Sequence, residues 1–266
     1  MNWLEIVVLA LIQGITEFLP VSSSAHLILP SQILGWSDQG LAFDVAVHIG
    51  TLLAVVLYFR EDVALLTQAW FRQIGGKGAS AESRLAWAVV IGTVPAVIFG
   101  LVFADFIEEE LRSVLVIAVT TIVFGIALGF ADKARGIRTI NQLTLKDAVL
   151  IGLAQAIALI PGVSRSGITM TAALFLGLDR IAAARFSFLL SIPLILAAGG
   201  HQTLKLATSG DDVAWMQILV GAVLSFISAL ACIHLFLKLL QQIGFMPFVW
   251  YRMVLGLGLL YLVFLF

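Results

Sequence analysis

The feature that most constrains this chain is a series of apolar runs, each long enough to cross a bilayer. About 20 apolar residues in a helix span the roughly 30 Å of hydrocarbon in a membrane. Only 12% of the residues are charged, whereas about a quarter are charged in soluble domains. The sequence therefore predicts an all-α integral membrane protein with six transmembrane helices. The six runs lie at about 41–59, 85–104, 113–131, 186–204, 214–237 and 250–266.

Two further apolar regions, at about 2–34 and 144–176, fit poorly as single spans. Each is interrupted halfway, by LPVSSSAH at 19–26 and by PGVSRSG at 161–167. Broken backbone survives at membrane depth only where it is buried in protein or lines a wet cavity. We therefore expect two re-entrant helix-loop-helix hairpins, each entering and leaving the membrane on one side.

The two halves of the chain resemble each other. Gln13 lies seven residues before Pro20, Gln155 lies six before Pro161, and a Val-Ser pair follows each proline. Each half would hold one hairpin and three spans, and because three is odd, the second copy is expected to be inverted, as in many carriers. We predict one membrane domain over 1–266, with repeat 1 at about 1–131 and repeat 2 at about 144–266.

The loop charges predict the orientation. Cytoplasmic loops of membrane proteins are enriched in Lys and Arg, and twelve such residues fall on one side against Arg112 and Lys205 on the other. Both termini and the first hairpin are then periplasmic, and the two hairpin tips meet near the midplane. The twelve are Arg60, Arg72, Lys77, Arg84, Lys133, Arg135, Arg138, Lys146, Arg180, Arg185, Lys238 and Arg252.

Both hairpin tips carry residues suited to an anion. Their serines occupy the start of a half-helix, where free N–H groups and the positive dipole end favour negative charge. The net charge of −1 gives no long-range field for nucleic acid, which we do not expect as a partner. The planar guanidinium of Arg165 could bind a phosphate through two parallel hydrogen bonds, or it could only form an ion pair with Glu17. The surrounding hydroxyls are Ser22, Ser23, Ser24, Ser164, Ser166 and Thr169.

The first hairpin also carries titratable residues. Gln13 and Glu17 are i and i+4 neighbours, and Glu17 is a candidate base, nucleophile-orienting group or metal ligand, or else a water-exposed carboxylate at a helix end. His26 lies one turn after Ser22 and three residues after Ser23, so we expect it to face the same pocket. It is a candidate acid or base there, with a packing role equally open.

A second i and i+4 pair, Asp44 and His48, fits either the same cavity or an interhelical hydrogen bond. An arginine with paired helix N-termini, Ser, His and Glu inside a bilayer suits a lipid with a phosphorylated head. A hydroxyl would attack the terminal phosphorus, Arg165 and N–H groups would stabilise the equatorial oxygens, and a base would take the proton.

Three motifs carry a resemblance to a known family. QGITEFLPVSSSAH at 13–26, PGVSRSGIT at 161–169 and FSFLLSIP at 186–193 resemble motifs of the undecaprenyl-diphosphatase family, also called bacitracin-resistance proteins. The resemblance implies a bacterial inner-membrane enzyme that removes one phosphate from undecaprenyl diphosphate, which recycles the lipid carrier for peptidoglycan synthesis. It also implies a divalent cation, Mg or Ca, and six spans with two re-entrant regions in inverted repeats.

The resemblance implies site residues as well. Ser23, His26, Glu17 and Arg165 match the catalytic candidates of the family, with Glu17 also the expected metal ligand. Ser23 is the preferred nucleophile and His26 the alternative. Position 13, where the family carries Glu or Gln, holds Gln13 and so lacks an anionic group. The expected substrate-binding residues are Gln13, Ser22, Ser24, Ser164, Ser166 and Thr169.

Two other functions compete with the phosphatase. The inverted repeat with broken helices is also the architecture of a transporter or lipid flippase, but a carrier needs no hydroxyl beside a base. A receptor or scaffold would leave a buried Arg165 and Glu17 without a role. The expected partners are a polyprenyl diphosphate lipid and the bilayer, and the sequence leaves open whether two copies form a homodimer.

Overall fold

The structure, a computed structural model, describes residues 1–134, 136–209 and 214–265, without the side chains of residues 104, 105, 108 and 207–209. Within these ranges the regular elements are all helical. They are α1 (Trp3–Thr16), α2 (Ser23–Ile33), α3 (Gly40–Tyr58), α4 (Arg60–Ile74), α5 (Ala81–Glu110), α6 (Val114–Lys133), a short 3₁₀ helix (Ile140–Gln142), α7 (Leu145–Ile157), α8 (Arg165–Phe175), α9 (Arg180–Ser209), α10 (Trp215–Ile243) and α11 (Met246–Leu265).

Six of the described helices are long and apolar enough to cross a membrane. They match the six predicted runs in order, so the prediction of an all-helical, multi-pass membrane protein is confirmed. The spans are Gly40–Tyr58, Ala81–Phe103, Val114–Lys133, Arg180–Leu206, Trp215–Ile243 and Met246–Leu265.

The apolar runs do not predict α4, which lies between the first and second spans. This helix mixes charged and apolar residues and has no fully buried residue. Val63 and Leu66 pack against the core, whereas Leu65 and Phe71 are exposed. Such an amphipathic helix is typical of one lying at a membrane surface, and it escapes a search for apolar runs because its hydrophobic residues are periodic.

The helices pack in pairs that correspond between the two halves. α1 packs on α10 and α7 on α5, while α3 packs on α10 and α9 on α5. Small residues permit the close approach: a Cβ on Gly14 would lie 1.9 Å from Ser228 Oγ, and one on Gly152 would lie 2.5 Å from the Gly92 carbonyl oxygen. The internal repeat predicts such paired contacts, while its inverted insertion and the re-entrant course of the hairpins stay predictions.

One of the twelve basic residues is not where the loop-charge argument places it. Arg252 lies within α11 and is fully buried, at 0% exposure, so its assignment to the cytoplasmic surface is wrong. Its guanidinium is surrounded by backbone carbonyl groups that replace water as hydrogen-bond partners. Arg135 lies outside the described residues.

Candidate functional site

The two hairpin tips have the same backbone conformation at one position, a serine before the second helix. The first tip consists of residues 17–24, from the end of α1 into the first turn of α2, and the second of residues 158–166, from the end of α7 into the first turn of α8. Ser22 has φ 76° and Ser164 has φ 72°, and no other non-glycine residue in the described ranges has positive φ. This conformation costs an L-residue about 1 to 3 kcal/mol and clusters at functional sites.

Each strained serine caps the helix that follows it. Ser22 Oγ accepts from the Ala25 N–H at 3.5 Å, and Ser164 Oγ accepts from the Gly167 N–H at 3.1 Å. The first residues of the two helices are Ser23 and Arg165. The same geometry therefore presents a hydroxyl at one tip and a guanidinium at the other, each beside free helix N-terminal N–H groups.

The Glu17 carboxylate joins the two tips. Its Oε1 accepts a hydrogen bond from Arg165 Nη2 at 2.6 Å, and its Oε2 accepts one from Ser23 Oγ at 2.6 Å and one from Gln13 Nε2 at 2.9 Å. The Glu17 side chain is 7% exposed, which excludes a water-exposed carboxylate at a helix end. The ion pair between Arg165 and Glu17, considered above as a structural alternative, is therefore present. Its carboxylate also accepts a hydrogen bond from Ser23, the preferred nucleophile.

Arg165 retains unused hydrogen-bonding capacity. Only its Nη2 contacts Glu17, while its Nη1 is buried with no hydrogen-bond partner. The guanidinium carbon lies 6.0 Å from the centre of the Phe18 ring, a distance at which the ring face attracts a cation. A buried donor without a partner costs about 1 to 3 kcal/mol, and a bound anion would satisfy it.

His48 lies beside this group. Its Nδ1 is 2.7 Å from the Asp44 carbonyl oxygen, so Nδ1 carries the proton in that contact and a neutral ring presents the lone pair of Nε2. Nε2 lies 3.9 Å from Glu17 Oε2. Of the two alternatives for the Asp44 and His48 pair, the structure supports cavity lining for His48, whereas the Asp44 carboxylate accepts from Gln39 at 3.0 Å.

These side chains line a cavity of about 190 Å³. Ser24 and Gln155 also line it, and its apolar lining residues come from α9 and the second tip. Gln155 donates its Nε2 to the Gly92 carbonyl oxygen at 3.2 Å, and its buried Oε1 has no hydrogen-bond partner. The lining residues are Glu17, Ser22, Ser23, Ser24, His48, Gln155, Ala158, Leu159, Ser164, Arg165, Leu194, Ile195, Ala198, Gly199 and Gln202.

His26 is not brought to this group. Its Nδ1 donates to the Ser22 carbonyl oxygen at 2.7 Å, and its Nε2 accepts from Tyr251 Oη at 2.5 Å. The two rings are stacked, with centroids 5.7 Å apart. The expectation that His26 faces the same pocket as Ser23 is therefore not met, because the backbone bond to Ser22 turns the ring toward α11.

Three predicted substrate-binding residues contact protein instead of the cavity. Ser166 Oγ donates to the Leu19 carbonyl oxygen at 2.7 Å, and Thr169 Oγ1 donates to the Arg165 carbonyl oxygen at 2.9 Å. Gln13 is committed to Glu17 through its amide nitrogen. None of the three is among the residues that line the cavity, and through these bonds they brace the tips and the carboxylate.

Arg252, which the sequence interpretation missed, holds the two tips together. Nη1 donates to the carbonyl oxygens of Pro20 at 3.2 Å and Val163 at 3.0 Å, and Nη2 donates to that of Gly162 at 2.9 Å. Nε donates to the Thr121 carbonyl oxygen at 3.0 Å. The signal was available, since an arginine inside an apolar span is by default a functional residue.

The sequence is similar to those of known proteins. A family model described as "Bacitracin resistance protein BacA" matches residues 6–258. A Hahella chejuensis protein named undecaprenyl-diphosphatase is 67% identical over 260 residues, covering 98% of each chain. Undecaprenyl-diphosphatase 1 of Pseudoalteromonas translucida is 59% identical over 98% of each chain. The undecaprenyl-diphosphatase of Colwellia psychrerythraea is 59% identical over 99% of this chain and 100% of its own.

Proposed function

Because the chain belongs to the bacitracin resistance protein BacA family, we propose that it hydrolyses undecaprenyl diphosphate to undecaprenyl phosphate and inorganic phosphate. The contact of Ser23 Oγ with Glu17 Oε2 at 2.6 Å carries this proposal. A hydroxyl beside a buried carboxylate, next to an arginine with a free donor, is the set that phosphoryl transfer requires. The reaction returns the lipid carrier to peptidoglycan synthesis.

Ser23 is the nucleophile in this mechanism. Its Oγ forms a bond to the terminal phosphorus while the bond from that phosphorus to the bridging oxygen breaks, and undecaprenyl phosphate leaves. The Oγ proton passes to Glu17 Oε2, which already accepts it as a hydrogen bond. Water then attacks the phosphorus, and the Oγ–P bond breaks. Glu17 returns the proton to Ser23 Oγ, and inorganic phosphate leaves with the oxygen and the hydrogens of the water.

Arg165 and the helix N-termini bind the transferring group. The unpartnered Nη1 of Arg165 would bond an equatorial oxygen, and the N–H groups that begin α2 and α8 would bond others. Donors fixed before the reaction stabilise the charge of the transition state without reorganisation. His48 Nε2, facing Glu17 from α3, would accept or return the proton that the carboxylate holds.

The site also fits the expected divalent cation. Mg²⁺ and Ca²⁺ prefer oxygen ligands, and Mg²⁺ commonly binds through one or two carboxylates together with substrate phosphates. Glu17 would hold the ion, and the buried amide oxygen of Gln13 has no hydrogen-bond partner and offers a second ligand. No cluster of three or more His, Cys, Asp or Glu occurs among the described residues, so substrate phosphate and water would complete the coordination. When bound, the ion would neutralise negative charge on the diphosphate.

The proposal includes a location and an orientation. The protein spans the bacterial inner membrane several times, as two inverted repeats at about 1–131 and 144–266. Its termini and first hairpin face the periplasm. Glu17, Ser23 and Arg165 then lie at the meeting point of the two tips, within the membrane. The diphosphate head of the lipid would bind at these three residues.

The direct test is release of inorganic phosphate from undecaprenyl diphosphate by the purified protein in detergent. Ser23→Ala serves as the matched inactive control. We expect phosphate release with the parent protein and none above background with the variant. Absence of release by the folded parent protein with Mg²⁺ or Ca²⁺ present would refute the proposal and favour a carrier of the same lipid.

A further inference from the structure

The cavity at the tips is lined by both polar and apolar residues. Glu17, Ser23 and Arg165 are among the polar ones, and Leu159 of the second tip is among the apolar ones. The remaining apolar wall is one face of α9, at the i and i+4 spacing of a helix. It consists of Leu194, Ile195, Ala198 and Gly199.

Two observations indicate a ligand. Gln155, at 1% exposure, lines the cavity with an amide oxygen that has no hydrogen-bond partner, and Arg165 lines it with an Nη1 that has none either. The cavity therefore combines polar groups available to a ligand with an apolar surface, which suits an amphipathic molecule. On the α9 wall, a Cβ built on Gly199 would meet no atom within 4 Å, so this position accepts a larger side chain.

We propose that the α9 wall of this cavity, together with Leu159, binds the first isoprene units of the prenyl chain attached to the diphosphate. This inference rests on the proposed function and adds a chain subsite to it. At about 190 Å³, the cavity is smaller than the roughly 300 to 1,000 Å³ of sites that enclose a drug-sized ligand. It holds the head and the beginning of the chain, and the rest of the chain lies in the bilayer.

Adjacent glycines on α9 provide the test and its control. Gly199→Leu would place a large side chain on the α9 wall. Gly200 does not line the cavity, and a side chain at position 200 would differ in direction from one at position 199 by about 100° around the helix. A Cβ on Gly200 would likewise meet no atom within 4 Å. Both changes replace a helical glycine with a better helix former, so both variants should fold.

The measurements separate binding of the chain from binding of the head. For each protein we would measure phosphate release from undecaprenyl diphosphate and its inhibition by farnesyl phosphate and by inorganic phosphate. For Gly199→Leu we expect KM and the Ki of farnesyl phosphate to rise about tenfold or more, since a single methylene in a tight pocket changes discrimination by that order. The Ki of inorganic phosphate should not change, and Gly200→Leu should match the parent protein in every measurement.

Three outcomes would overturn the chain subsite. They are an unchanged Ki of farnesyl phosphate in Gly199→Leu, equal losses for farnesyl phosphate and inorganic phosphate, and equal effects of the two leucine variants. If the parent protein releases no phosphate, the proposed function fails instead. Thermal stabilisation by farnesyl phosphate, which needs no turnover, then still tests the subsite: Gly199→Leu should abolish it and Gly200→Leu should preserve it.

Discussion

The two tips agree in the backbone of one serine but differ in the side chain that follows it. In each, a serine with positive φ caps the next helix, and its Oγ lies 3.2 Å from the Oγ of a serine two residues later. Between those serines stands Ser23 in the first tip and Arg165 in the second. The same arrangement therefore supplies a hydroxyl, the proposed nucleophile, from one side and a cation from the other.

The difference also shows how the two tips depend on each other. Glu17 precedes the serines of the first tip and accepts hydrogen bonds from both Ser23 and Arg165. Ser166 of α8 donates a hydrogen bond to the Leu19 carbonyl oxygen of the first tip. The carboxylate and the hydroxyl come from the first tip, and the guanidinium comes from the second. Activity should therefore depend on the relative position of the two tips. The substitutions below alter one tip or the contacts between them.

The largest effect is expected from removing the nucleophile of the first tip. Ser23→Ala should lower the rate of phosphate release by about 10³-fold or more, the scale of losing a nucleophile in covalent catalysis. The protein should still bind substrate, since Arg165 and the helix N–H groups remain. Ser24→Ala, which removes a neighbouring cavity-lining hydroxyl with no contact to Glu17, is the control and should lose far less. Equal losses in the two variants would remove Ser23 from its role.

The shared carboxylate is expected to set the metal dependence. Excess chelator should abolish activity, and Glu17→Gln should weaken the apparent affinity for Mg²⁺ or Ca²⁺ by about 10- to 100-fold, as measured by metal titration of phosphate release. Full activity of the parent protein in excess chelator would contradict a metal role for Glu17.

The second tip is tested by a change that preserves its charge. Arg165→Lys can still donate to Glu17 but loses the planar fork, so turnover should fall by about 10²-fold with little change in Tm. Arg185→Lys, which alters an arginine paired with Asp62 far from the tips in sequence, controls for the substitution itself. If Arg165→Lys has a turnover near that of the parent protein but a markedly lower Tm, Arg165 stabilises the structure through Glu17 and does not bind the transferring phosphate.

The join between the tips is tested at Arg252. A lysine has three donors, so Arg252→Lys would leave some of the bonded carbonyls without a partner, each at a cost of about 1 to 3 kcal/mol. We expect a lower Tm and a smaller loss of turnover than at Arg165, about tenfold, because both tips loosen but keep their chemical groups. A variant that melts like the parent protein would show that Arg252 does not hold the tips.

The orientation prediction should leave activity unchanged. A single reactive cysteine near Gly76 should be labelled from the cytoplasm, and one near Glu109 from the periplasm, because of the asymmetry of Lys and Arg in the loops. Labelling of both positions from one side would overturn the inverted arrangement of the two tips.

The elements of the site were predictable from sequence because they depend on local chemistry. Proline followed by a run of serines breaks an apolar helix and caps the next one, so both tips and the contacts among Glu17, Ser23 and Arg165 could be anticipated. The six spans follow from the length of the apolar runs.

The positions of the two histidines and of Arg252 could not be predicted, because they depend on tertiary contacts that no local sequence pattern encodes. His48 comes to Glu17 because α3 packs beside the tips, whereas His26 is turned away by its bonds to Ser22 and Tyr251. Counting loop charges assumes that an arginine near a span end faces water. Arg252 instead finds its partners in backbone carbonyl groups that the broken helices leave free, which cannot be read from its neighbours in sequence.

The partners of Arg252 have a consequence for the resting enzyme. They are carbonyl dipoles, and in the described part of the chain no ion pair is formed by its guanidinium. Two guanidinium groups, those of Arg165 and Arg252, therefore donate hydrogen bonds at the tips, and Glu17 supplies the carboxylate that accepts from Arg165. An excess of positive charge at low dielectric attracts an anion. The diphosphate head of the proposed substrate would supply the balancing negative charge where the two tips meet.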